Sequence, residues 1–335
     1  MRILVVGAGA TGGYYGGRLA EAGRDVTFLV RRTRSRTLAD RGLSIRSPLG
    51  DFVIGSPKTV TADLLKPGEA PFDLVIMSCK AYDLGQALAD VAPAVTERTL
   101  VLPILNGLSH LEALDRAFGA GRVLGGCCHI ASMVGEAGEI LHLGEHCTLT
   151  YGQRGGIRQD RVSELDAAMQ GGKFRARLSD DIVLEMWEKW VFLASIAGAT
   201  TIMRSTVGGI VAAPGGRAFI VALHEECLAV AEANARAPRA EVSAQARATL
   251  TAAASPLTTS MLRDMLADRG VEADHVFGEL IERGRTAGVR ARLPLLNAVY
   301  SQLKIYERRR AGIQADGEVP GVPPQPATIA RPTST

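Results

Sequence analysis

The sequence predicts a two-part molecule, an α/β half built on a parallel sheet followed by an all-α half. Three observations carry this. Short β-branched runs alternate with helical patterns through the first half of the chain, a glycine-rich turn follows the first run, and from Asp180 onward the apolar spacing is helical. The strand-like runs are residues 3–6, 26–30, 74–77 and 100–102, and the stretches 12–22, 82–91 and 110–118 suit crossover helices. A parallel sheet covered on both faces follows. Between residues 43 and 60 the pattern becomes two short runs, 43–46 and 52–54, around Pro48-Leu49-Gly50-Asp51, which reads as an inserted hairpin. Residues 123–151 supply further short strands with Gly turns, expected to continue that sheet or extend its edge. In the second half Asp180 or Asp181 can cap a helix running to about Met203. Gly208-Gly209 and Pro214-Gly215-Gly216 read as breaks, with further helices near 217–235, 241–254, 258–268, 272–287 and 293–310. The polar stretch 153–160 and Gly171-Gly172 place the division so that one domain takes residues 1–170 and a helical one residues 180–310. Residues 311–335 are rich in Gly, Pro, Ala and Thr, a composition that buries no core, and are expected to be a disordered tail.

Composition narrows the function. A chain of 335 residues, 47% hydrophobic and 22% charged, has enough apolar side chain for two cores, which excludes wholesale disorder. Its 38 Lys and Arg against 35 Asp and Glu leave a formal charge of +3, too small and too well mixed to argue for nucleic acid or a membrane surface. A small-molecule ligand is the default. Five Cys without a C-x-x-C pair give no disulfide framework and suit a reducing, cytoplasmic setting. The opening apolar run is too short for a signal peptide, and the stretch 190–203, interrupted by Ser195 and Gly198, is shorter than the ~20 residues a spanning helix needs. No metal site is expected: His142, His146 and Cys147 flank Gly144 in a strand pattern, without helical ligand spacing. Cys127-Cys128-His129 reads as small buried thiols beside a strand rather than a nucleophile. A homodimer through the helical half is allowed, though no residue pattern specifies one.

The clearest motif is Gly7-Ala8-Gly9-Ala10-Thr11-Gly12, matching G-x-G-x-x-G. With 37 Gly in the chain, roughly 0.4 such motifs arise by chance, so the match alone is weak. Its context makes it strong: it follows the first strand and opens an amphipathic helix, the Rossmann-type arrangement in which a pyrophosphate meets a helix N-terminus. The second strand ends Val30-Arg31-Arg32, with no acid to bond a ribose hydroxyl and two guanidiniums able to chelate a 2′-phosphate, so NADPH is expected over NADH. Arg34, Arg36, Arg41 and Arg46 would thicken that positive patch.

Ile3 to Gly12, Ser78-Cys79-Lys80-Ala81-Tyr82, Asn106-Gly107, Trp187-Glu188-Lys189, and Ser260-Met261-Leu262 followed by Glu272 together resemble the ketopantoate reductase (2-dehydropantoate 2-reductase) family. The resemblance runs over residues 1–310, in order and with matching spacing. It implies an NADPH-binding Rossmann-type domain, an all-α C-terminal domain, and reduction of a 2-oxo acid between them, with 2-dehydropantoate to pantoate as the named reaction. A paralogue reducing a different, more apolar 2-oxo acid and a non-catalytic NADP(H)-binding sensor are the rival readings.

The residues themselves can be weighed. Lys189 has Met186, Phe192 and Leu193 as helical neighbours, so it is either a partly desolvated proton donor or the partner of Glu185 in a surface i, i+4 pair. The resemblance favours the donor. It also implies that Glu272 helps hold lysine, substrate and cofactor ribose; by itself Glu272 is equally a first-turn carboxylate. Asn106, beyond a strand end, matches a residue touching cofactor and substrate, although Asn-Gly also makes a plain turn. Lys80 would sit near the cofactor phosphate or ribose, Ser260 at the substrate carboxylate, and Ala131, two residues past His129, at a backbone contact with the cofactor. His110, His224 and His275 carry no evident role. The pattern departs from the family where asparagines stand four and eight residues beyond the lysine, here Leu193 and Ala197, and three residues before Ser260, here Leu257. A more apolar pocket is the consequence, with less discrimination for a substrate hydroxyl.

Overall fold

The computed structural model describes residues 1–68, 71–155, 159–289 and 292–312. It opens β1 (Arg2–Val6), α1 (Ala10–Glu21), β2 (Asp25–Leu29), α2 (Arg32–Arg41), β3 (Leu43–Arg46), β4 (Phe52–Ile54) and β5 (Thr59–Val60). There follow β6 (Leu74–Met77), α3 (Leu84–Val91), β7 (Leu100–Pro103) and α4 (Ser109–Phe118). β5, β2, β1, β6 and β7 lie side by side in that order, all parallel. β6 and β7 are buried at every residue, as strands covered on both faces must be. The order places the ends of β1 and β6 side by side at the point where connections leave in opposite directions, and ligands bind at such a point.

β3 and β4 form the expected antiparallel hairpin. The stretch that follows meets expectation only at its start: Val123 bridges Val101 in parallel and extends the edge of the first sheet, but β8 (Gly125–Val134) and β9 (Ile140–Gly152) pair with each other in a second one. After α5 (Gln159–Met169), β10 (Arg175–Leu178) joins β9, giving the order β10-β9-β3-β4 with β8 on β9. The cause lies in α1, which is apolar on two sides. Gly16 has no room for a methyl group against Phe28 of the first sheet, and Gly17 none against Ile45 of the second. Tyr15 Oη donates to the Thr148 carbonyl at 2.9 Å. α1 is therefore a filling between two sheets, a layer arrangement that local periodicity does not encode.

The helical half comprises α6 (Ile182–Met203), α7 (Val207–Ala212), α8 (Gly216–Ala233), α9 (Ala240–Leu250) and α10 (Ser260–Leu266). A π-helical turn (Asp274–Gly278), α11 (Glu279–Thr286) and α12 (Pro294–Arg310) complete it. α6 begins where expected, Asp181 Oδ1 accepting the Leu184 amide at 3.1 Å as N-cap. It packs against α7, α8, α9, α10, α12 and β8, and a helix apolar around most of its circumference belongs in such a centre. Gly208-Gly209 does not break the chain: both glycines lie inside α7, where Gly208 lets the helix approach the backbone of Ala254 and Ser255. The break falls instead at Arg204, whose φ of 48° ends α6. Among the described residues no helix is long and apolar enough to cross a membrane, and no group of three or more His, Cys, Asp or Glu could hold a metal ion. The tail beyond residue 312 lies outside the described residues.

Candidate active site

The glycine motif divides its labour. Gly7 follows β1 with φ +95°, a conformation that disfavours side chains. At Gly12 an added Cβ would collide with Ser78 Oγ and the Gly7 carbonyl, so this glycine allows helix and strand to touch. At Gly9 an added Cβ would meet no protein atom within 4 Å. Packing therefore gives no reason for a glycine there, and the position is open to an approaching ligand. Gly9 is also the N-cap of α1, without a side-chain cap and with no acid in the first turn, which leaves amides and the positive helix end facing outward. A cleft of about 630 Å³ runs from Gly7, Ala8 and Gly9 past Lys80 to Arg31 and Arg32, a size and chemistry that suit a dinucleotide.

The arginine patch is smaller than the sequence suggests. Arg31 and Arg32 line the cleft, largely exposed, and pair with Asp83 at 2.6 Å and Asp63 at 3.0 Å. Arg34 also lines it, but its guanidinium donates to the carbonyls of Ala8 and Gly138, and burial lowers its pKa. It braces the motif. Arg41 and Arg46 are occupied elsewhere, by the Ala137 carbonyl and by Asp51, so they do not extend the patch.

Across the mouth of the cleft, Lys80 Nζ donates to Asp264 at 2.9 Å and lies 3.8 Å from Glu272. Glu272 in turn accepts the Ala81 amide at 2.9 Å. Burial works against the Lys80 ammonium, but Glu272 and Asp264 outweigh it and hold its pKa above the ordinary lysine value. Glu272 stands just before the π-helical turn, at a helix start as expected, yet its contacts among the described residues are with Lys80 and Ala81 rather than Lys189.

Lys189 is half-buried on α6, and its Nζ donates to Asn106 Oδ1 at 3.1 Å. Asn106 follows β7, as the resemblance requires. The surface ion pair with Glu185 does not form: Glu185 is taken by Arg177 and by Ser179 Oγ at 2.6 Å. Glu188 is taken by Arg239, whose Nε and Nη2 donate at 2.8 and 2.6 Å. The ammonium therefore meets a neutral amide, in a crevice lined by Leu105, Cys127, Met186, Trp190 and Leu193. Burial pushes the Cys127 thiol up to about 11, which keeps it an inert wall of that crevice.

Ser260 and Ala131 are exposed, and among the described residues neither bonds a residue of the crevice. Ser260 opens α10, whose cap residue Thr259 shares a 3.1 Å hydrogen bond with Thr200, about three helical turns beyond Lys189 on α6. Leu193 lines the crevice and Ala197 is fully buried, so the two apolar replacements sit along the same helix. His142 bonds Tyr14 and Ser47 between the two sheets. Two partners of the site escaped sequence reasoning: Asp264, which holds Lys80, and His275, which bonds Ser109 and His110 beside Asn106. Nothing local marks either.

The comparisons agree with this architecture. A family model described as ketopantoate reductase PanE/ApbA matches residues 3–156, and one described as ketopantoate reductase PanE/ApbA C terminal matches residues 181–307. The uncharacterized oxidoreductase YkpB of Bacillus subtilis (strain 168) is 37% identical over 311 residues, covering 92% of this chain and 100% of the relative. A 2-dehydropantoate 2-reductase of Nostoc sp. (strain PCC 7120 / SAG 25.82 / UTEX 2576) is 28% identical over 319 residues, covering 93% of this chain and 97% of its own. The crystal structure of 2-dehydropantoate 2-reductase from Geobacter metallireducens GS-15 superposes with a TM-score of 0.82 at 30% identity, covering 91% of this chain and 99% of that one.

Proposed function

The chain belongs to the ketopantoate reductase family of oxidoreductases, and from that premise we propose that it reduces a 2-oxo acid with NADPH, 2-dehydropantoate to pantoate being the named reaction. One observation supports this above the rest: the Lys189 ammonium, paired with no carboxylate among the described residues, is held against Asn106 in an apolar crevice beyond a sheet strand. Bound in the cleft, the nicotinamide supplies a hydride to C2 of the oxo acid. Negative charge then grows on the carbonyl oxygen, and Lys189 Nζ stabilises it and gives it a proton, so that oxo acid, hydride and proton become a 2-hydroxy acid. Asn106 orients the ammonium. Gly7 to Gly12 cradle the pyrophosphate, Arg31 meets the 2′-phosphate, and Lys80 with Glu272 closes the cleft over the ribose. Ala131 offers a backbone contact, and Ser260 takes the substrate carboxylate.

A second reading, reduction of a more apolar 2-oxo acid, is favoured by Leu193 beside the lysine, where a polar partner for a substrate hydroxyl would stand. Steady-state NADPH oxidation on 2-dehydropantoate and on ketoisovalerate, which has a hydrogen in place of the hydroxymethyl group, tests both readings. Oxidation with either acid is the expected outcome, and the ratio of kcat/KM values names the substrate class. Tight NADPH binding with no turnover of any oxo acid would leave only a sensor.

Arg31→Ala is expected to weaken NADPH binding about tenfold, the worth of one charge-assisted contact of ~1.4 kcal/mol, with NADH binding unchanged. Fluorescence titration of both cofactors checks this. Equal losses for the two would remove the 2′-phosphate from Arg31.

A further inference from the structure

His275 has no part in the reading above, yet it sits where the parts of the site meet. Its Nδ1 is hydrogen-bonded to Ser109 Oγ at 2.6 Å, and its Nε2 lies 3.3 Å from His110 Nδ1. Ser109 and His110 open α4, directly after the Asn106-Gly107 turn. Gly107, with φ +71°, rests on the same residue: an added Cβ would come within 2.8 Å of the His275 carbonyl and 3.3 Å of its Nε2. The next residue, Val276, accepts the Trp190 Nε1 hydrogen at 2.9 Å, and Trp190 adjoins Lys189. One π-helical turn thus grips the Asn106 loop with a side chain and the Lys189 helix with a carbonyl. Turns of this kind recur at functional sites.

Both imidazoles stay neutral. His110 is fully buried, which drives its pKa well below the ordinary value; burial also lowers that of His275 against the pull of Glu272. A neutral pair adds no charge beside the ammonium. What it supplies is position, because Asn106 lies in an irregular loop, and the point from which its amide reaches the ammonium depends on how that loop is held.

We propose that His275 is a positioning residue for the reduction: by bridging Ser109 and His110 it locks the Asn106-Gly107 turn against α6, and so fixes the amide that orients the Lys189 ammonium. The inference rests on the roles given to Lys189 and Asn106 above.

Purified His275→Ala, His275→Asn and Lys189→Ala are compared with wild type for NADPH oxidation with 2-dehydropantoate and ketoisovalerate, for NADPH affinity by fluorescence, and for Tm. His275→Ala should lower kcat tenfold or more, since a misplacement of ~1 Å costs up to about a hundredfold, with NADPH affinity within about twofold of wild type. In His275→Asn the amide stands near the place of Nδ1 and can still bond Ser109, so kcat should recover above the alanine level. A kcat for His275→Ala within twofold of wild type overturns the proposal, as does a loss that follows Tm and cofactor affinity, or an asparagine variant no faster than alanine. Should Lys189→Ala lose its rate while His275→Ala keeps it, only the positioning role fails. Should Lys189→Ala keep its rate, or the wild type reduce neither acid, the reading of the site falls and this inference with it.

Discussion

Lys189→Ala is expected to lower kcat about a thousandfold, the worth of one positioned general acid that also faces the developing oxyanion, while NADPH affinity and Tm barely move. The separation follows from the partners on α6. Removing an ammonium from a buried ion pair would strand a carboxylate and destabilise the fold; here Glu185 keeps Arg177 and Ser179, and Glu188 keeps Arg239, so nothing charged is left alone. Asn106 loses one hydrogen bond from a neutral amide, a cost of about 1 kcal/mol. Lys189→Arg sharpens the test. Arginine retains the positive charge but holds its proton too tightly to give it up, so a variant as slow as alanine assigns the effect to proton transfer, and one of intermediate rate assigns part of it to charge alone. Rates within tenfold of wild type for Lys189→Ala would take the proton from another group.

Much of this arrangement is legible in the sequence, and what is missing has a common cause. β1, the glycine turn and α1 are readable because each rests on residues within a few positions of one another. So is α6, whose cap and apolar face are local. α2 is not: Arg32–Arg41 holds four arginines and buries Leu38 alone, so no apolar stripe announces a helix. β8 and β9 are recognisable as strands, but period-2 alternation looks the same in any sheet, and only α1 packing between two layers decides which sheet they join. The same limit applies to the site. The crevice around Lys189 follows from its helical neighbours, whereas the partners of Lys80 and Ser109 lie 184 and 166 residues away. Long-range pairing leaves no mark on either stretch of sequence.

Gly9→Ala and Gly12→Ala should fail in opposite ways, although both glycines belong to one motif. At Gly12 a methyl group runs into Ser78 Oγ and the Gly7 carbonyl; the serine can turn away, but the carbonyl is backbone fixed between β1 and α1 and cannot. The helix must lift from the strand end, at a cost of ~1–3 kcal/mol for overpacking, and thermal unfolding should show a Tm several degrees lower. Gly9 has φ −86° and open space where its Cβ would stand, so alanine is accepted without strain and Tm should stay within a degree or so. Its methyl group nevertheless occupies the approach to the first amides of α1, and a pyrophosphate kept from them loses hydrogen bonds of ~1.5–3 kcal/mol each. NADPH affinity in a fluorescence titration should therefore fall at least tenfold with the fold intact. Wild-type affinity in Gly9→Ala would mean that the cofactor phosphates do not sit on this turn, and the cleft would then need another ligand to explain why packing leaves that position bare.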